Sequence, residues 1–118
     1  MTAVMDPPAE IVITFEGTSP GTEIWGATQA NFSVQVPGHN AKEGAALLND
    51  PAATMLAEAV GKDDTPEFRE AAARAAGKAA VKEMMARGEP FDSTLMISRA
   101  YLQERPAVFE AAKAALAE

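Results

Sequence analysis

Cysteine is absent from the chain and histidine occurs once, so the side chains that most often serve as nucleophiles, bases and metal ligands are scarce. Without thiols there is no disulfide, no thiolate nucleophile and no cysteine-ligated metal. Long apolar runs are missing too. No stretch approaches the roughly 20 residues a membrane-crossing helix needs, and the opening MTAVMDPPAE lacks the basic and apolar segments of a signal peptide. The expected location is the cytoplasm. Phosphate-binding glycine motifs are also lacking. In GTSPGT, Gly17 and Gly21 are four apart with no Lys-Ser/Thr after them, and no dinucleotide fingerprint occurs.

Basic residues are scarce in the first half. Residues 1–60 carry seven acids and one base (net −6), whereas residues 61–118 carry ten acids and nine bases (net −1), which accounts for the formal charge of −7. Such a balance repels nucleic acid and anionic membrane and gains nothing from counterion release. Neither is an expected partner; a protein partner or self-association is, and the charge leaves room for a basic one.

What the sequence has in abundance is alanine, 26 of 118 residues, a helix-forming composition. At this length one domain is expected. Met1–Ala9, with Pro7 and Pro8, reads as a flexible N-terminal arm, and residues 10–118 as a single α+β domain.

Thr65–Gly88 reads as the central helix. Thr65 suits the N-cap, Pro66 the first turn and Gly88 the left-handed position that ends it, with Pro90 beyond. Its apolar residues fall in two stripes, Phe68, Ala72, Ala75 and Ala79 on one side and Ala73, Gly77, Ala80 and Met84 on another, so two packing partners are expected. Glu70–Arg74 and Glu83–Arg87 have the spacing of helical ion pairs.

Upstream, Glu10–Glu16 alternates Ile11, Ile13 and Phe15 against Val12, Thr14 and Glu16, the pattern of a half-buried strand. A short strand is expected over Glu23–Ala27 and a firm one over Phe32–Val36. Asn40 is expected to cap a short helix through Leu48, with Asp50 and Pro51 restarting a helix that ends at Gly61. Downstream, Asp92 is expected to cap a helix over Ser93–Glu104, and Pro106 to open a last one through Ala117. The expected fold is α+β, a small N-terminal antiparallel β-sheet of two or three strands packed against a C-terminal portion of four to five helices.

Val36–Gly44, VPGHNAKEG, is the stretch most like a ligand site. There Gly38, His39, Asn40 and Lys42 would place helix amides, an imidazole and an ammonium around an anion. The alternative is an ordinary strand-to-helix turn. His39 and Glu43 share the spacing of two metal ligands on one helix face, but one histidine makes a poor metal site. Ser93 and Ser98 lack a nucleophile motif. No cofactor and no metal are expected, and the chemistry points away from an enzyme.

Two functional classes fit what remains. The first is a non-enzymatic protein–protein interaction or assembly module, possible as an oligomer. The second is an acidic inhibitor that occupies a basic, nucleic-acid-binding surface of another protein. Glu10, Glu16, Glu23 and Trp25 are the expected partner-binding residues, with Glu43 near them in space. A small accessory protein of a phage or mobile element fits either class.

Overall fold

A computed structural model of the chain describes residues 12–19, 27–35, 38, 41–89 and 94–117. They form a four-stranded sheet and four helices in the order β1 (Val12–Ser19), β2 (Ala27–Gln35), β3 (Lys42–Asn49), α1 (Asp50–Val60), α2 (Pro66–Ala86), β4 (Thr94–Ile97), α3 (Arg99–Glu104) and α4 (Pro106–Leu116). The fold is α+β. The sheet runs β1-β2-β3-β4, antiparallel except for the β3–β4 pair, which is parallel.

Alternation along each strand decides which face of the sheet is covered. Phe32 and Val34 of β2, Ala46 and Leu48 of β3, and Ile97 of β4 are buried on one side, joined by the half-buried Ile13 and Phe15 of β1. Phe15 meets Phe32 edge-on, with ring centroids 5.7 Å apart. All four described helices come after β3 in the chain, and α2 lies across this apolar face.

The caps of α2 are those expected. The Thr65 hydroxyl accepts from the Phe68 amide at 3.0 Å, Pro66 opens the first turn, and Gly88 takes φ +76° while the Glu89 amide donates back to the Met84 carbonyl at 2.9 Å. The helix packs against the sheet on one side and α4 on another, which fits two stripes. The buried set is wider than either stripe, however, since Ala76 and Val81 are also enclosed. Of the two expected helical ion pairs, Glu83–Arg87 forms at 3.7 Å. Glu70–Arg74 is not among the ion pairs formed, and the Arg74 guanidinium instead lies 4.6 Å from the centre of the Phe15 ring.

Three expectations are corrected. Asn40 was expected to cap a helix through Leu48, but Lys42–Asn49 is the strand β3. Alanine and leucine favour helix in isolation, yet here Ala46 and Leu48 face the core while Ala45 and Leu47 face away, and eight register pairs tie the segment to β2. Asn49, not Asp50, caps α1, its side chain accepting from the Ala52 amide at 3.0 Å. Similarly, Ser93–Glu104 is not one helix. Thr94–Ile97 pairs with β3, and Ser98 then caps the short α3 by accepting from the Tyr101 amide at 3.1 Å. Among the described residues the strands are therefore four, one of them from the C-terminal half, and the sheet is mixed because the chain passes through α1 and α2 before returning beside β3. The third correction is smaller: β2 begins at Ala27, ahead of the strand expected from Phe32, and β1 runs on from the strand expected to end at Glu16 through Ser19. The expected arm 1–9 and most of the expected strand over Glu23–Ala27 lie outside the described residues.

Candidate functional site

No described helix packs on the other face of the sheet. By strand parity that face presents Val12, Thr14 and Glu16 from β1, Gln29, Asn31, Ser33 and Gln35 from β2, Glu43, Ala45 and Leu47 from β3, and Thr94 and Met96 from β4. Val12 and Met96 are the two large apolar residues most exposed among the described residues, at 54% and 42%. Leucine, methionine and alanine lie toward the β3–β4 side, the amides toward the centre and the acids beside them.

A β-bulge shapes the middle of this face. Phe15 pairs with Phe32 and Gly17 with Asn31, so Glu16 is the extra residue on β1. Gly17 takes φ +115°, a conformation open to glycine and strained for other residues. The Asn31 amide donates to the Gly17 carbonyl at 3.3 Å, and Gln29 donates to the Asn31 side-chain oxygen at 2.8 Å. The bulge and the amide ladder on β2 thus hold one another in place. Beside them lies an open depression of about 480 Å³, whose lining includes Glu16, Asn31, Glu43, Ala45 and Thr94.

Glu16 and Glu43 stand two strands apart and about one and a half residues out of level, which places their backbones roughly 11 Å from each other. Neither makes an ion pair among the described residues, and no lysine or arginine of the described strands shares their face. The depression is consequently an acidic, partly apolar surface.

Of the residues the sequence singled out, the structure places Glu16 and Glu43 together here. Glu10, Glu23 and Trp25 lie outside the described residues, as do His39 and Asn40. Gly38 is an exposed turn residue at φ +82°, and Lys42 is the exposed first residue of β3. Because a strand follows where a helix was expected, the helix amides proposed to hold an anion beside Gly38 and Lys42 are not there, and the helical His39–Glu43 spacing does not apply. Asn31, Leu47, Thr94 and Met96 were not singled out; the alternation of β2 is the signal that carries Asn31, while the other three are placed by the pairing of β3 and β4.

Two other polar clusters are structural. Arg69 joins Asp50 at 2.8 Å and Asp64 at 2.7 Å, tying the start of α1 to the turn before α2, and Thr54 donates to Asp64 at 2.9 Å. The hydrogen bond from Arg69 holds the Asp64 carboxyl below its ordinary pKa, partial burial opposing it. Glu83 meets Arg105 at 3.5 Å beside Tyr101, whose buried hydroxyl has no hydrogen-bond partner among the described residues. Burial raises the Tyr101 pKa; Arg105, close enough to oppose the shift, lies over the ring at 4.8 Å and does not meet hydrogen-bond geometry at the oxygen. Among the described residues no three acids or histidines gather as a metal site, and no helix is long and apolar enough to cross a membrane.

No family model, no curated protein and no solved structure matches the chain.

Proposed function

We propose that the chain is a non-enzymatic protein–protein interaction module of the cytoplasm, and that the open face of its sheet is the surface it uses. The observation that carries this reading is the asymmetry of the sheet. Helices cover one face, while the other keeps Met96 and Val12 exposed beside two acids without a described counter-charge. Partly apolar surface rimmed by charge of one sign is the composition of a docking site, and it fits a partner presenting basic side chains.

The test is co-purification from cells that contain the natural partner, using the wild-type chain and a Glu16→Lys, Glu43→Lys, Met96→Ala variant. These positions are solvent-facing, so the variant should fold with an unchanged melting temperature and lose the partner. A partner retained equally by both proteins would place the interaction elsewhere.

A second reading, an acidic inhibitor that covers a nucleic-acid-binding surface, draws support from the charge of residues 1–60, net −6 from seven acids and one base. It differs in kinetics. A charge-steered inhibitor associates quickly at low salt and slows steeply as salt rises.

A further inference from the structure

Beyond its first turns, where Glu67 and Glu70 are exposed, the outer side of α2 carries the opposite charge to the open sheet face. Arg74, Lys78 and Lys82 are each four residues apart, so they form one ridge along the helix, and all three are exposed. Neither lysine makes an ion pair among the described residues. At 1.5 Å of rise per residue, Arg74 and Lys82 stand about 12 Å apart with Lys78 midway. The two acids of the sheet face stand roughly 11 Å apart across an open depression. The spacing of the bases on one surface therefore matches that of the acids on the other, and among the described residues neither the two lysines nor the two acids form an ion pair, while Arg74 rests on the Phe15 ring.

Resting on the reading of the sheet face as an interaction surface, we infer that its occupant is a second copy of this chain, docked through the basic ridge of α2. Arg74 and Lys82 of one copy approach Glu16 and Glu43 of the next, and Lys78 enters the depression between them. The alkyl stems of the lysines cover Ala45 and the neighbouring apolar positions while their ammonium groups meet the carboxylates. Such a contact joins two different surfaces. Each bound copy keeps one face and one ridge free, so the assembly grows or closes into a ring in place of stopping at a symmetric pair. The Arg74 stack on the Phe15 ring holds one end of the ridge near the β1 side of the sheet.

Sedimentation velocity on three proteins tests this: the wild type, a face variant (Glu16→Lys with Glu43→Lys) and a ridge variant (Lys78→Glu with Lys82→Glu). The wild type should exceed the chain mass of 12.4 kDa as concentration rises and return to it at high salt. Each variant alone should remain monomeric, its association weakened by about tenfold or more. Mixed together, the two variants should associate again, because the intact face of one meets the intact ridge of the other and the two reversed surfaces are also opposite in charge. Circular dichroism on each variant establishes that it is folded. A wild type that stays monomeric up to millimolar concentration overturns the inference, as does a face variant that associates like the wild type or a mixture that stays monomeric. The underlying reading fails separately, when reversal at Glu16 and Glu43 leaves capture of a different partner unchanged.

Discussion

Gly77 on α2 and Phe32 on β2 are in a contact that leaves no room for a side chain on the glycine. A Cβ at residue 77 would stand 2.7 Å from Phe32 Cε2 and 3.0 Å from the Ala46 Cβ. Glycine in a helix interior costs roughly 1 kcal/mol relative to alanine, so its place here is set by the close approach of α2 to the sheet. Gly77→Ala should therefore lower stability despite its better helix propensity, by about 1–3 kcal/mol from overpacking. In a Phe32→Leu background the cost of the same change should shrink, since the two positions are in contact. Chemical denaturation of the four proteins measures both terms. A Gly77→Ala protein more stable than the wild type would mean that α2 sits farther from the sheet.

The caps of the helices give a second set of expected losses. Asn49→Ala, Thr65→Ala and Ser98→Ala each remove an acceptor from a first-turn amide, at 3.0, 3.0 and 3.1 Å respectively, and each should cost about 0.5–2 kcal/mol. Asn49→Asp keeps the acceptor and should stay close to the wild type. Equal melting temperatures for Asn49→Ala and the wild type would move the start of α1.

Much of this architecture was legible in the sequence. Thr65, Pro66 and Gly88 mark α2 because caps are chemical and local. The alternation of Phe32 and Val34 marks β2 for the same kind of reason. Ala45–Leu48 was not legible as a strand, because alanine and leucine carry a helical preference that only pairing with β2 overrides. Thr94–Ile97 is four residues long, too short for periodicity to separate from a helix start, and its partner β3 lies far away in sequence. The candidate face was half legible. Glu16 and Glu43 stood out by charge, but their neighbours across the depression depend on strand order, which no local pattern encodes.

Arg69 should make stability depend on acid pH. The Asp64 pKa is lowered in the folded chain, first by the hydrogen bond from Arg69. Its contribution is thus present above the unfolded carboxyl value, near 3.8, and lost as pH falls through the folded one. The groups are largely at the surface, so the effect should be small, about 0.2–1 kcal/mol for the pair. Arg69→Gln and Asp64→Asn should each flatten the acid limb of the stability curve, and the double variant should add little to either. An acid limb of unchanged slope in Arg69→Gln would show that the contact contributes nothing.

Tyr101 offers a signal of its own, being the one tyrosine in the sequence. Burial raises its pKa above 10.0, so the fold holds the proton more tightly than the unfolded chain does, and stability should decline as pH rises beyond that value. Removing an unpartnered buried hydroxyl costs little, so Tyr101→Phe should be neutral or slightly stabilising at pH 7 and should lessen the alkaline decline. A loss above about 1 kcal/mol at pH 7 would mean that the hydroxyl has a hydrogen-bond partner after all.

The lack of cysteine supplies the most direct probe of the open face, because Thr94→Cys would carry the one thiol in the chain, at an exposed position lining the depression. A trace of this variant should react rapidly with a maleimide when dilute. Excess wild-type chain should slow the reaction as copies dock on the face, whereas excess Lys78→Glu, Lys82→Glu chain should not. A thiol that reacts slowly even when dilute would mean that the chain itself covers the face, and a rate indifferent to wild-type chain at any concentration would mean that copies do not meet there.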